Sequence, residues 1–463
     1  MGEQPSNIEP SLRLSKVVVR DLFGLYDHTI SVNLSERVTI VHGPNGIGKT
    51  VLLGLVSAVF DGRYLELVKF PFKALELAFV EGALLTISNP GYAEQDSPVG
   101  GDASTSRLSF TLTGASPATQ QFEFRFDPMV VINNATQANI YLPWLTRRTV
   151  DTWHDASTNE IVSAFDVLIR YSEQIPEALR RQNSTEPEWL KTFRNRLPIH
   201  FIETQRLLEF GRGDPRRMPY VQGAQMSYAV KSISHDLIAR IGQTLARYAN
   251  NSQALDQTFP RRLLAGTVVP FSVPELKNKM AEIDARRAEL RKVGLLDDTT
   301  ENPLGSETLD KVGERDRAVI TLYVEDNAKK LNALDDLWRR VSLLLRIVKA
   351  RFLHKELEIS RQAGFIVRDD NARKLDLNDL SSGEQHELIL SYNLLFSVQE
   401  NSLVLIDEPE LSLHVEWQTA FLNDLLEIVK AIKFDVILAT HSPYIIGEHD
   451  DLMVALSSDN IAK

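Results

Sequence analysis

No cysteine occurs anywhere in the chain, which removes disulfides, thiolate zinc sites and cysteine nucleophiles together. Nor is there an uninterrupted apolar run of the length a membrane helix requires, and the opening Met1-Gly-Glu-Gln-Pro-Ser-Asn7 lacks a signal-peptide pattern. The expectation is a cytoplasmic protein with no membrane contact. Positive charge is in deficit: 51 Lys and Arg against 62 Asp and Glu leave a net charge of −11. That balance disfavours a chain that coats nucleic acid by bulk electrostatics, while leaving room for a local basic surface. No repeat of fixed period is visible. The 463 residues exceed one small domain, and about two to four units are expected.

What the chain does have is Gly43-Pro-Asn-Gly-Ile-Gly-Lys-Thr50, the pattern of a phosphate-binding loop. The apolar run Arg37 to His42 precedes it and Val51 to Phe60 follows, so the loop is predicted at a strand-to-helix junction. Gly43, Gly46 and Gly48 permit backbone conformations closed to other residues, so that the loop, passing through Pro44 and Asn45, can turn its amide N–H groups onto an oxyanion at a helix N-terminus. Lys49 would reach the β- and γ-phosphates of ATP, and the Thr50 hydroxyl would hold Mg2+. A glycine-rich turn can fit the pattern by chance, but the strand-before, helix-after context argues for a nucleotide site.

Ahead of the loop, Leu12 to Leu34 alternates around Leu22-Phe-Gly-Leu25 and predicts a small strand layer. Leu65 to Phe126 reads as a β-meander with a loop near Gln95 to Ser106. Trp153 to Leu179 and Pro187 to Leu197 are predicted helical, without an assigned job. Ile199 to Arg206 is a short β-type run, followed by Arg212, Arg216 and Arg217. With Arg206 these arginines are a candidate DNA-contacting patch, although Glu203, Glu209 and Asp214 lie near enough to pair with them. Glu275 to Leu295 and Arg315 to Leu357 carry apolar residues at helical spacing, Leu331, Leu334, Leu337, Val341, Leu344 and Val348 among them. The simplest expectation is an antiparallel helical pair inserted in a larger domain, docking a partner or a second copy; two ordinary core helices fit the same spacing. The predicted organisation is 1–274, 275–357 for the helical insert, and 358–463.

Ser402 to Pro409 is an apolar strand ending in two acids. Asp407 at the strand end suits a Mg2+ ligand, and Glu408 can polarise an attacking water. A surface Asp-Glu turn is the bland reading and would win without the phosphate loop. Asp435 to Pro443 is another such strand, ending at His441, whose ring could sense the γ-phosphate. Leu380-Ser-Ser-Gly-Glu-Gln385 precedes a helical run, His386 to Gln399, and by itself is an N-cap with capping-box character.

In this order the motifs closely resemble the ABC-type ATPase superfamily, an α/β P-loop NTPase fold, here with an N-terminal antiparallel β layer and an inserted helical pair. Within it the chain looks like the soluble branch of SMC proteins, repair ATPases and overcoming-lysogenisation-defect ATPases. The resemblance covers residues 10–60, 199–210 and 375–455. It implies that Gln205 touches Mg2+ and water, that Ser381 and Gly383 clamp the γ-phosphate on the opposite subunit of a homo-oligomer, that Glu410 to His414 form the D-loop, and that His441 is the switch histidine. The departure LSSGEQ, where transporters have LSGGQ, looks like the DNA-repair branch. FIETQRL and the short helices are similar to ATPase subunits of bacterial anti-phage systems such as Septu, whose partner is an HNH nuclease; related ATPases work with Toprim nucleases. No nuclease signature appears, and Lys463 follows His441 too closely to expect a Toprim domain. The resemblance therefore implies an ATPase controlling a separate nuclease; a repair ATPase acting on DNA as clamp or sensor is the alternative.

Overall fold

The computed structural model describes residues 11–90, 107–114, 118–156, 158–171, 174–180, 186–203, 222–265, 268–297, 313–411 and 413–456. These form two compact units, one built from described residues of 11–203 and 398–456, the other from those of 222–397.

Five strands of the first unit make a sheet in the order β11 (Ile199–Glu203), β15 (Leu403–Asp407), β16 (Asp435–Ala439), β3 (Val38–His42) and β17 (Met453–Ala455), all parallel. Every residue of Leu403-Val-Leu-Ile-Asp407 and Asp435-Val-Ile-Leu-Ala439 is buried, which is why both segments read as unbroken apolar runs rather than alternations. One face of this sheet, with Val41, Leu403, Leu405, Ile437 and Ala439, joins a core that includes Leu52 and Val56 of the helix Lys49–Asp61. Strand polarity sends Glu203, Asp407, Ala439 and His42 to the same C-terminal edge.

A second, six-stranded antiparallel sheet runs β2 (Tyr26–Ser31), β1 (Leu14–Leu22), β4 (Ala74–Phe79), β5 (Leu84–Ser88), β6 (Arg107–Thr113), β7 (Gln120–Arg125). The predicted strand layer and meander are thus one sheet, except that Tyr64–Lys69 is helical. The loop expected near Gln95 to Ser106 lies outside the described residues. Strands β4 and β5 alternate cleanly, burying every second residue. A bidentate pair ties this layer to the parallel sheet: Arg13 Nε and Nη2 donate to Asp435 at 2.9 and 2.6 Å, with Asp435 almost fully buried.

The helix expected over Trp153 to Leu179 is corrected. Thr152–Asp155 (β9) and Glu160–Ser163 (β10) form a hairpin beside β8 (Leu145–Arg147), and only Ala164–Arg170 and the short Glu177–Arg180 are helical. β-Branched and aromatic residues, Thr152, Trp153, Ile161 and Val162, favour extended backbone, and Ser163 then starts the helix with a capping box to Asp166. Helix Glu188–Asn195 matches its prediction.

The second unit is mostly helical. Its longest helix, Gln222–Leu264, had no counterpart in the sequence reading, although Val230, Ile233, Leu237 and Ile241 repeat at three and four residues and are buried. It packs on helices Glu314–Asn332 and Ser382–Phe396 and carries Arg262, which donates to both oxygens of Asp326 at 2.7 Å. Helix Val273–Lys292 is also as expected, but the second predicted helix is two, Glu314–Asn332 and Asp335–Lys349, and Lys355–Ser360 (β12) is a strand paired to Gly364–Asp369 (β13), which also pairs with Lys374–Leu375 (β14). Leu334, Val341, Leu344 and Val348 are fully buried, against helix Ser382–Phe396 and β12 among other neighbours. The apolar stripe is therefore core of its own unit.

Two stability outcomes follow. Asp435→Ala strands the Arg13 guanidinium and should lower unfolding free energy by about 2–3 kcal/mol, a loss reduced by Arg13's partial exposure; a urea midpoint unchanged from wild type would show that the pair contributes nothing. Leu334→Asp with Val341→Asp places two carboxylates in apolar surroundings and should cost more than about 4 kcal/mol, seen as loss of the helical melting transition.

Candidate nucleotide site

The loop after β3 has the shape the sequence anticipates. Gly46 and Gly48 have φ of +82° and +93°. A Cβ on Gly48 would lie 2.8 Å from Leu22 Cδ2, and one on Gly43 would lie 2.9 Å from the Leu456 carbonyl oxygen, so neither position has room for a side chain. Gly48 caps helix Lys49–Asp61, whose free amides face the loop. Pro44 and Asn45 are exposed at the loop's tip and Thr50 is exposed on the first helical turn. From β2, the buried His28 donates through Nε2 to the Ile47 carbonyl at 2.8 Å, which fixes its tautomer. Burial holds His28 below the ordinary histidine range, against the Ile47 carbonyl and Asp27.

Lys49 is the centre of the arrangement. Its Nζ uses all three donors, to the carbonyls of Gly43 (2.8 Å) and Pro44 (3.0 Å) and to His441 Nδ1 (3.4 Å). Burial pushes the Lys49 ammonium below the usual lysine range, with Glu408, Asp407 and Glu410 opposing. His441 Nε2 lies 3.4 Å from Glu408 Oε1, so the ring spans from the lysine to the carboxylate. Its pKa is also lowered, first by burial and then by Lys49, against Glu408 and Glu410. A neutral ring with Nδ1 accepting from Lys49 and Nε2–H facing Glu408 meets both contacts. Glu408 itself sits at φ +46° with its amide donating to Ala439 O at 2.8 Å, a strained position held by the neighbouring strand.

Asp407 ends β15 and is buried. Among the described residues no group of three or more His, Asp or Glu side chains is placed to hold a metal. A cation here would depend on Asp407, Thr50 and substrate phosphate oxygens, and these hard oxygen donors suit Mg2+, which keeps several waters and takes few protein ligands.

Lys49, Glu408, His441 and the loop glycines are thus brought together on one sheet edge. Ser381 and Gly383 lie in the other unit. There Ser381 caps helix Ser382–Phe396, its Oγ accepting from the Glu384 amide at 3.3 Å while its own amide donates to Glu384 at 2.7 Å. Lys355 donates to both oxygens of Glu384, which holds that carboxyl below its usual range despite burial. Gln205, Arg206, Arg212, Arg216 and Arg217 lie outside the described residues.

Residues 240–447 match the family described as "AAA domain, putative AbiEii toxin, Type IV TA system". A 108-residue stretch, 23% of this chain, is 33% identical to protein ea59 of Escherichia phage lambda, and covers 20% of that protein's length. Among solved structures, the SMC head domain from Thermotoga maritima is 12% identical at a TM-score of 0.32, covering 96% of this chain and 94% of that one. The Smc head domain of Pyrococcus furiosus bound to the C-terminal domain of ScpA is 11% identical at 0.32, with the same coverage. The parallel sheet, with a glycine-rich loop joining β3 to helix Lys49–Asp61, has the arrangement of a P-loop NTPase. No described helix is long and apolar enough to cross a membrane.

Sequence reasoning did not single out His28, Thr440 or Gln418. Their links His28–Ile47, Thr440–Glu410 and Gln418–Ser442 span 19, 30 and 24 residues, and no local pattern marks them.

If these residues act as placed, Lys49→Ala should abolish both nucleotide binding and turnover, whereas Glu408→Gln should bind ATP within about threefold of wild type and lose turnover by about 10²-fold or more. Equilibrium binding of a fluorescent ATP analogue beside a phosphate-release assay separates the two; normal turnover in Glu408→Gln would remove the residue from the chemistry.

Proposed function

We propose that this chain is the ATP-binding and hydrolysing subunit of an anti-phage defence complex, and that it controls a separate nuclease. The observation that carries the hydrolytic part is the joining of Lys49, His441 and Glu408 by two contacts of 3.4 Å at the mouth of a phosphate loop. In this reading the loop amides and Lys49 hold the triphosphate, with the lysine exchanging its bonds to Gly43 and Pro44 for phosphate oxygens. Thr50 and Asp407 hold Mg2+, joined by Gln205. Bound there, the metal neutralises developing charge on the phosphates. Glu408 orients the water and takes its proton, and His441 reads the γ-phosphate.

Ser381 and Gly383 complete the site of a second copy, making the working form at least a dimer. The capped start of helix Ser382–Phe396 offers amides to an anion and so supports that role. The defence assignment draws on the toxin–antitoxin description of the family matched over 240–447 and on the phage protein matched over 108 residues. The nuclease partner, of HNH or Toprim type, rests on the resemblance of the motif series, and the cytoplasmic location on the sequence's lack of a membrane-length apolar run.

Mixing Lys49→Ala with Ser381→Arg chains tests the shared site. Each mixed dimer keeps one intact composite site, so equal mixing should restore about a quarter of wild-type turnover from two inactive parents. Mixed dimers shown to form by native mass spectrometry, yet without turnover, would rule out a site shared between copies. The same instrument, applied to the chain co-expressed with its neighbouring gene, should reveal a hetero-complex with a nuclease; a pure homo-oligomer would count against the defence reading.

A further inference from the structure

The stretch after Glu408 carries a second carboxylate with a different set of contacts. Glu410 does not point at Lys49 through any hydrogen bond in the structure. It turns to the end of β16, where Thr440 Oγ1 donates to its carboxylate at 2.9 Å and the His441 amide donates to Oε1 at 2.7 Å. Thr440 is fully buried, and its hydroxyl also accepts from the Ser442 amide at 3.0 Å. A second bridge lies beside the first. Gln418, buried on helix Val415–Ile432, donates through Nε2 to the carbonyls of Glu410 (3.3 Å) and Leu413 (3.2 Å), while its Oε1 accepts from Ser442 Oγ at 2.7 Å. Both side chains therefore use one end on the turn that follows Glu408 and the other on residues 440–442.

We propose that Glu410 and Gln418 are positioning residues that fasten the turn after Glu408 to the 440–442 segment, so that His441 and Glu408 move as one piece. This deepens the hydrolytic reading above and rests on it. The argument is geometric. Among the described residues, polar contacts of 3.4 Å to Lys49 and Glu408 hold the His441 ring, whereas its backbone is held by a shorter, charge-assisted bond at 2.7 Å. Ring placement is therefore inherited from the backbone, and the backbone is set by Glu410. Any force on the turn carrying Glu410 is delivered to the imidazole without passing through the nucleotide. Such a clasp gives the site a mechanical input of its own. Neither residue touches the reacting atoms, so neither is a catalytic residue.

The test compares Glu410→Ala, Glu410→Gln and Gln418→Ala with wild type. Glu410→Gln keeps an oxygen that can accept from the His441 amide, and should retain most turnover. Glu410→Ala should lower kcat by about 10- to 100-fold, the cost of misplacing a catalytic group by about an ångström, with ATP affinity unchanged within about twofold. Hydrogen exchange by mass spectrometry supplies a readout that needs no ATPase activity. In Glu410→Ala, peptides covering 440–446 should exchange about tenfold faster while those from β3 and β15 keep wild-type protection. Gln418→Ala should show the same local loosening to a lesser degree. Exchange unchanged at 440–446 in both alanine variants would overturn the clasp. So would a global rise in exchange together with loss of ATP binding in Glu410→Gln, because the carboxylate would then be a general structural support. Should wild type prove unable to hydrolyse ATP, the hydrolytic reading fails and the exchange data still decide on the clasp.

Discussion

The register of the parallel sheet is the constraint on which the site depends. Glu203, Asp407, Ala439 and Val41 are successive partners across β11, β15, β16 and β3. Since the two central strands are buried on both faces, a slip by one residue would exchange every side chain between two differently shaped cores, and the pairing is strongly specified. That specification is what brings Glu408, one residue past its strand, to the Ala439 carbonyl and within reach of the ring of His441, two residues past its own.

Electrostatics within this edge are arranged by division of labour. Lys49 brings a positive charge into a largely buried position, where burial alone would favour its neutral form; three nearby acids oppose that. The acids are not equivalent. Glu408 faces the imidazole of His441 at 3.4 Å, while Glu410 spends its acceptors on a backbone amide and a hydroxyl.

Much of this was legible in the sequence because the decisive segments are short and extreme in pattern. GPNGIGKT needs positive φ at fixed positions, and wholly apolar strands ending in Asp407 or leading to His441 have few alternative uses. The start of the signature helix was legible for the same reason, since Ser381 and Glu384 stand at capping-box spacing. The failures have physical causes too. Trp153 to Leu179 offered apolar residues at spacings compatible with either period, and tertiary packing of Trp153 into the core decided for strand. The single helix over 315–357 hid a break at Ala333–Leu334, where Leu331 and Leu334 are both buried and apolar periodicity carries across the interruption. Long-range hydrogen bonds such as Gln418 to Ser442 leave no local mark.

The antiparallel layer that precedes the phosphate loop is explained by what it touches. Leu22 occupies the space a side chain on residue 48 would need, and Phe23 lies against the same point. His28, one strand further on, holds the Ile47 carbonyl, and Arg13 reaches across to Asp435 at the beginning of β16. A phosphate loop is rich in glycine and so has the least intrinsic preference for any one shape. Its conformation has to be imposed from outside, and here the first two strands impose it from one side while the parallel sheet anchors its ends. The order strand layer, loop, helix is therefore a consequence of the loop's own flexibility: residues that must adopt left-handed backbone to wrap a phosphate need a rigid neighbour already paired on both edges, as β1 is between β2 and β4.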